Sequence, residues 1–241
     1  MGEPSGDLDP ETVPEPVPVV VAALLAAAED ATRAFAVATG LRCPEGCGAC
    51  CHDARPEVTE LDVSLIARDA VARGVGEALF EAAVAGADAR CVFYESEDGA
   101  PHKGRCTAYS LRPMLCRLFG FAARRGKTGP ELAACRVHRA QTPELVAVAE
   151  EAARRGEAPI FGDHQSRLDG LDPARSATKR PINQALARAL ERELTRLAYA
   201  GEEAAAALLD APPAALNDDA VEGHDPGSEP GRRPPSGKLA A

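Results

Sequence analysis

Residues 43–51 read Cys-Pro-Glu-Gly-Cys-Gly-Ala-Cys-Cys, and the interpretation of the whole chain starts from this stretch. Cys47 and Cys50 have the two-residue gap of a zinc knuckle, in which both sulfurs converge on one ion. Gly48 lies between them and is expected to permit the tight turn. Because Cys50 and Cys51 are adjacent, we expect their side chains to point in different directions, so that Cys51 serves a different ion from Cys50 or is an edge ligand. Thiolates are soft ligands that favour zinc, iron–sulfur clusters or Cu(I), so the stretch predicts a metal site.

Four further cysteines follow at wider intervals, and no cysteine lies outside residues 43–135. These four are Cys91, Cys106, Cys116 and Cys135. A structural zinc ion takes four ligands, so eight thiols suffice for two sites. We expect the later cysteines to close the site that the first four open. Two histidines are candidate additional ligands, because His52 follows Cys51 directly and His138 stands three residues after Cys135.

A disulfide framework or a set of free structural thiols would also account for clustered cysteines. The first 16 residues contain five acidic residues and no Lys or Arg, whereas a signal peptide begins with a positive segment. The longest apolar run, residues 17–28, is shorter than the roughly 20 residues of a membrane span. We therefore expect a cytoplasmic protein with no membrane segment, in which thiols stay reduced or bind metal.

Apolar residues recur at helical spacing over most of the chain outside the cysteine-rich stretch, which predicts a mainly α fold. Helices are predicted over residues 19–39, 59–73, 76–88, 143–155 and 181–199. Thr142 is the expected N-cap of the fourth helix, and a helical turn is expected after Pro113. Strand is expected only as a small hairpin near residues 91–108. Residues 1–18 and 210–241 are rich in proline and are predicted to be disordered, which leaves one helical domain over 19–209.

Charge changes sign within the cysteine-rich region, although the whole chain carries a net charge of −10. Residues 43–101 contain twelve acidic and four basic residues, whereas residues 102–139 contain nine basic residues and one acidic residue. The basic residues are interpreted as offsetting thiolate charge, since four thiolates leave a divalent ion with a net charge of −2. A solvated surface and a phosphate or nucleic-acid site are the alternatives. No aromatic residues are interleaved to support nucleic-acid binding.

An enzymatic interpretation is also open. The cysteines at 43, 47 and 50 have the spacing of radical S-adenosylmethionine enzymes, but here they follow a predicted helix instead of a strand, and Ala49 replaces the usual aromatic residue. The nearest polar side chains are Glu45, Asp53 and Arg117, and their spacing specifies no reaction. No Ser-His-Asp arrangement or phosphate-binding glycine loop is present.

Residues 41–139 resemble the YkgJ-like cysteine-cluster family, which is described as a zinc- or iron-chelating domain. The residues that carry the resemblance are Cys43, Cys47, Cys50, Cys51, Cys91, Cys106, Tyr109, Arg112, Pro113, Cys116, Arg117 and Cys135. The first gap has three residues where the family has two, which sets Cys43 apart from the other cysteines.

The resemblance implies that all eight cysteines are ligands of zinc or iron, including an iron–sulfur cluster, and it implies no settled reaction. A similar cysteine region in flagellin lysine methylase gives a protein-modifying enzyme as the alternative. Tyr109 is expected in the core, and Arg112 is expected to cap carbonyls or to pair with an acidic residue of segment 43–101.

Overall fold

The computed structural model describes residues 17–53 and 55–201, and most of these residues are helical. The α-helices are α1 (Val17–Thr39), α2 (Ala49–Asp53), α3 (Ser64–Ala72), α4 (Gly76–Ala85), α5 (Met114–Leu118), α6 (Arg136–Gln141), α7 (Pro143–Arg154), α8 (Phe161–Asp169), α9 (Pro173–Ser176) and α10 (Ile182–Tyr199). The prediction of a mainly α fold is confirmed. The proposed disordered segments lie outside the described residues, except that Val17 and Pro18 already belong to α1.

Within residues 17–53 and 55–201, the strands form three short antiparallel pairs. They are β1 (Glu57–Val58) with β6 (Arg180–Pro181), β2 (Tyr94–Glu97) with β3 (Ala100–Cys106), and β4 (Ala123–Gly126) with β5 (Gly129–Leu132). The hairpin expected near residues 91–108 is therefore present, but the expectation that strand is limited to it is wrong. The second hairpin lacks the β-branched residues that mark a strand, and its closing glycines, Gly126 and Gly129, are the signal that was missed.

Three apolar clusters form the core, and α1 contributes to two of them. The first cluster packs α3 and α4 against α10, with Ile66, Leu186 and Leu190 almost fully buried. The second joins the C-terminal half of α1 to α7 and the β4–β5 hairpin. The third joins the N-terminal half of α1 to α5 and α8, around Leu25 and Leu168. The cysteine-rich segments lie between these clusters and are positioned by them.

The predicted helix 59–73 begins with a 3₁₀ turn at Leu61–Val63. Asp62 is buried in this turn, where its Oδ2 accepts hydrogen bonds from the Thr59 backbone N–H (2.9 Å) and hydroxyl (2.8 Å). The Gln165 amide donates to the same oxygen at 3.3 Å, whereas Oδ1 has no hydrogen-bond partner. Burial raises the pKa of Asp62.

Thr142 stands at the N-cap position of α7, as expected, but its side chain does not cap that helix. Its hydroxyl donates instead to the His138 carbonyl oxygen of the preceding turn, at 3.3 Å. None of the helices in the described residues is long and apolar enough to cross a membrane.

Candidate metal centre

Five thiols from four separate segments are neighbours in the structure, and we call them the five-thiol group. Its members are Cys50, Cys51, Cys91, Cys106 and Cys116. Burial raises the pKa of Cys116 to about 12, and the charges of Cys91, Cys106 and Cys50 act in the same direction. Burial likewise raises the pKa of Cys91 to about 11, with Cys106 adding to it. The charges of Cys106 and Cys116 act on Cys51 as well, and its sulfur is 4.0 Å from that of Cys50. Charge effects between thiols weaken with separation, so these mutual effects indicate that the five side chains are neighbours.

Short backbone contacts hold the segments of the five-thiol group together. The N–H of Gly48, just before α2, donates to the His102 carbonyl on β3 (2.8 Å), and the N–H of Gly104 donates back to the Gly46 carbonyl (3.0 Å). These bonds dock α2, with its two adjacent cysteines, on the β2–β3 hairpin. Cys106 ends β3 and faces Tyr94 of β2 in the register of that hairpin. Cys91 and Cys106 also pack against the first apolar cluster, which fixes the inner side of the group.

The adjacent Cys50 and Cys51 do not point apart, contrary to expectation, because their sulfurs are only 4.0 Å from each other. Both cysteines lie in the short helix α2. Zinc–sulfur bonds of about 2.3 Å at the tetrahedral angle place two sulfurs roughly 3.8 Å apart. The spacing of the two sulfurs therefore suits one ion, and the expectation of a different ion or an edge position for Cys51 stays a prediction. The hydrogen bond from Cys51 lowers the pKa of Cys50 to about 7 and raises that of Cys51.

Gly48 is required for a reason other than the expected tight turn. A Cβ atom at Gly48 would lie 2.1 Å from the Tyr94 hydroxyl oxygen, so the tyrosine ring occupies the space of a side chain. The turn before Cys47 depends instead on Gly46, whose φ of 64° is left-handed. The Tyr94 hydroxyl donates to the Pro101 carbonyl at 3.0 Å. The sequence interpretation missed Tyr94, because its position beside the cysteines arises from hairpin pairing.

Cys43 and Cys135 lie with His138, and we call these three residues the Cys–His group. The Cys43 Sγ is 3.6 Å from the His138 Nε2, across 95 residues of sequence. The Cys135 Sγ accepts a hydrogen bond from the His138 backbone N–H at 3.4 Å. Cys43 packs against the second apolar cluster, whereas Cys91 and Cys106 pack against the first. The structure thus brings the later cysteines to two different places.

His138 is almost fully buried, with 1% of its surface exposed. Its ring packs edge-to-face on Phe121, with the centroids 5.2 Å apart. Gly120 permits this burial, because a Cβ there would lie 3.3 Å from the His138 Cε1 and 3.6 Å from the Cys135 Cβ. Burial lowers the pKa of His138, which favours the neutral imidazole.

The remaining predicted ligands lie at the border of the five-thiol group. Cys47 forms an isolated bridge with Lys103 of β3, and its charge acts on the Tyr94 hydroxyl together with those of Cys50 and Cys51. The ring of His52, the other candidate histidine, packs against His102 with centroids 4.3 Å apart.

An ion-pair network fixes the segment that carries Cys116. The Arg112 guanidinium donates to both Glu29 carboxylate oxygens (2.9 and 2.7 Å), and Arg117 donates to Oε2 at 3.1 Å. Arg117 also donates through Nε to the Arg112 carbonyl at 2.9 Å, and it contacts the Ser110 carbonyl. Burial opposes ionisation of Glu29, but the two guanidinium groups outweigh it and hold the pKa of Glu29 below its ordinary value.

Two expectations about this segment need correction. Arg112 pairs with an acidic residue, as predicted, but that residue is Glu29 of α1 and does not belong to segment 43–101. Tyr109 is 41% exposed and is not a core residue, because the Arg112 guanidinium stacks on its ring with Cζ 3.8 Å from the centroid. Arg117 is buried in the network, so its guanidinium is committed to holding the segment.

A buried amide holds the loop that leads to Cys91. Asn183, at the start of α10, accepts a hydrogen bond from the Val92 N–H (3.1 Å). Its amide donates to the carbonyls of Gly86 (2.6 Å) and Arg90 (2.9 Å). Only 1% of Asn183 is exposed, and the sequence pattern gave no indication of this role.

Several arginines of the basic segment 102–139 pair with carboxylates, and Arg112 also acts on thiols. Burial raises the pKa of Cys106 and Cys116, but the charge of Arg112 favours the thiolate form of both and of Cys50, which agrees with the proposed role. Other arginines of the segment form surface ion pairs with carboxylates, namely Arg105 with Glu95, Arg124 with Glu131, Arg125 with Asp163, and Arg139 with Glu150.

The donor set suits zinc or iron, since both groups supply soft sulfur and one supplies imidazole nitrogen. Within residues 17–53 and 55–201, no three His, Cys, Asp or Glu side chains form a group that could hold a metal ion as they stand. Closing either group around an ion therefore requires side-chain rotation. The eight cysteines all lie in the described part of the chain, and none of them is committed to a disulfide.

Comparison with known families agrees with this chemistry. A family model described as "CxxCxxCC: Putative zinc- or iron-chelating domain" matches residues 42–136. The resemblance inferred from the sequence is thereby confirmed, and the matched residues include all eight cysteines. No curated protein and no solved structure matches the chain.

Proposed function

We propose that the chain binds zinc or iron through the thiols of its eight cysteines, as a protein that holds or hands on the ion. The observation that carries this proposal is the five-thiol group. Four segments that are far apart in sequence deliver soft donors to one place, where the two cysteines of α2 already have sulfurs 4.0 Å apart. The family description of a chelating domain supports the same conclusion.

The surroundings of the five-thiol group favour a bound cation over free thiols. Burial raises the pKa of Cys91 to about 11 and that of Cys116 to about 12, so these thiols are protonated at neutral pH without a cation. A divalent ion stabilises the thiolates directly and displaces their protons on binding. The Arg112 guanidinium favours the charged form of three members of the group and offsets part of the excess negative charge.

Access to the group supports loading and release of the ion. Cys50 is exposed, whereas Cys51, Cys91, Cys106 and Cys116 are half-buried. An incoming ion would therefore meet the thiol of Cys50, which has the lowered pKa of about 7, before the buried ones. A site buried on all sides would act as a structural staple, whereas this arrangement suits an ion that enters and leaves.

Metal analysis of the purified full-length chain tests this function. We expect at least one tightly held zinc or iron ion per chain, measured by mass spectrometry, with colour and absorbance near 400 nm separating an iron–sulfur cluster from zinc. Cys116→Ser and Cys50→Ser should lose the ion and lower the melting temperature to a similar degree, because they contribute to one group. Ser96→Ala, an exposed hairpin residue, is the matched control and should retain the ion. A folded, metal-free protein with eight titratable thiols would refute the proposal.

A further inference from the structure

We infer that Cys43, Cys135 and His138 form a second zinc site, separate from the five-thiol group, with His138 Nε2 as a ligand. This inference rests on the proposed function, since it assumes that the chain binds metal. It adds His138 as a ligand beside the cysteines, and it adds a second ion. It also divides the cysteines, with Cys43 and Cys135 serving one ion and the five-thiol group serving another.

The spacing of Cys43 and His138 is the first argument. Zinc–sulfur bonds of about 2.3 Å and zinc–nitrogen bonds of about 2.0 to 2.1 Å, at the tetrahedral angle, place sulfur and nitrogen roughly 3.6 Å apart. The Cys43 Sγ and the His138 Nε2 are 3.6 Å apart, so these two atoms already have the spacing of two ligands of one tetrahedral zinc ion. A metal could enter without moving either residue's backbone.

The local sequence around Cys135 provides the second argument. Cys135 and His138 are three residues apart, and the His138 N–H already donates to the Cys135 Sγ at 3.4 Å. Backbone N–H groups that point at a sulfur stabilise the thiolate form, which is the form that binds zinc. Cys135 would be the third donor beside Cys43 and His138, and three protein donors is the number found in open zinc sites.

The burial of His138 is the third argument. Its Nδ1 is buried and has no hydrogen-bond partner of ordinary geometry, while the backbone of Gly120 lies directly beside the ring. A buried imidazole with one unpaired nitrogen loses hydration without full compensation, so a bond from Nε2 to an ion would offset part of that cost. Ligating histidines commonly donate a hydrogen bond from their second nitrogen to a backbone carbonyl, and Gly120 is the backbone group nearest to this ring.

The two groups are supported by different parts of the core, which argues for two sites. Cys43 packs on the second apolar cluster and Cys91 and Cys106 pack on the first. A mixed set of two thiolates and one imidazole suits Zn²⁺, whose preferred ligands include both.

The experiment loads the reduced full-length chain with Zn²⁺, and separately with Co²⁺ as a coloured probe, and counts ions per chain by native mass spectrometry. The wild-type chain should bind one ion more than either His138→Asn or Cys43→Ser. Both variants should lose the ion of the Cys–His group. Cys116→Ser should lose the other ion. His164→Asn, on α8, is the matched histidine control and should retain the wild-type count.

Folding is separated from ligation by two further measurements. The melting temperature of each metal-free variant shows whether it folds, and His138→Cys should retain the second Co²⁺ ion with stronger thiolate-to-cobalt absorption, which a purely structural role for His138 would not produce. If the wild-type chain binds metal and the count does not change in His138→Asn or Cys43→Ser, the second site is wrong and the proposed function stands. If Cys43→Ser and Cys116→Ser remove the same ion, the division into two sites is also wrong. If the wild-type chain binds no metal, the proposed function fails and the second site fails with it.

Discussion

Replacement of Glu29 by glutamine should clearly destabilise this chain. Glu29→Gln preserves the size of the side chain and keeps one acceptor oxygen, but it removes the negative charge between Arg112 and Arg117. Those guanidinium groups retain only 14% and 5% of their side-chain exposure, so solvent compensates poorly for the lost carboxylate. The segment that carries Cys116 is attached to α1 through this carboxylate.

The magnitude follows from the burial of the ion pairs. Removing one partner of a fully buried pair costs about 3–5 kcal/mol, because an uncompensated charge remains in the interior. Glu29 itself is 24% exposed, so we expect a smaller loss of about 2–3 kcal/mol in the free energy of unfolding. For a protein of this size, such a loss lowers the melting temperature by roughly 4–12 °C.

Urea unfolding of the full chain at neutral pH measures this loss, and the pH dependence provides a second check. Because the pKa of Glu29 is lowered in the folded state, its contribution to stability is present above the ordinary value of 4.5 and disappears as the pH falls through the folded-state pKa. The difference between the wild-type chain and Glu29→Gln should therefore shrink in acid. Asp30→Asn is the neighbouring control, since Asp30 and its partner Arg33 are exposed, and it should cost no more than about 0.5 kcal/mol. Equal stability of the two variants would refute the role of the network.

Three further changes test other contacts of the fold, each by chemical or thermal unfolding. Asn183→Ala should cost about 2–4 kcal/mol, because the buried backbone groups that Asn183 contacts lose their partners. Gln184→Ala should be nearly neutral, and similar values for the two variants would contradict the role of Asn183. Gly104→Ala should open the β2–β3 hairpin, since its Cβ would lie 2.2 Å from a backbone oxygen. Gly99→Ala meets no atom within 4 Å and should leave the hairpin closed, at the smaller cost of an alanine at a left-handed φ of 72°. Because burial raises the pKa of Asp62, the stability of the wild-type chain relative to Asp62→Asn should fall as the pH rises through the folded-state pKa, and a constant difference would refute this.

The helices could be predicted from the sequence because their signals are local. Apolar residues at helical spacing identify α1 and α10, and the structure places these helices at Val17–Thr39 and Ile182–Tyr199, within two residues of the predicted bounds. The short helix α8, Phe161–Asp169, has few apolar residues, and the pattern did not reveal it. Its position depends on the burial of Leu168 against α1 and α5, which is a tertiary contact.

The presence of a thiol-rich site could also be predicted, whereas the grouping of its members could not. Soft donors concentrated in one region indicate metal chemistry whatever the fold. Which cysteine meets which partner depends on how the core folds the chain back on itself, and Cys43 meets His138 across 95 residues. Glu29 escaped prediction for the same reason, since its partners Arg112 and Arg117 are 83 and 88 residues away. Its one local signal is an acidic residue directly after a long apolar run of the same helix.

Helix α1 connects these observations, because it is the element that both thiol regions share. Its N-terminal half packs on α5, which carries Cys116, and its C-terminal half packs on the cluster that supports Cys43. Glu29 lies between the two halves and attaches the Cys116 segment to the helix through Arg112. An ion bound by the five-thiol group would therefore be held by the ion-pair network as well as by its ligands, whereas an ion in the Cys–His group would depend on the packing of Phe121 against His138. The two sites would share one helix without sharing a ligand, which is how a single domain could hold two ions with different affinities.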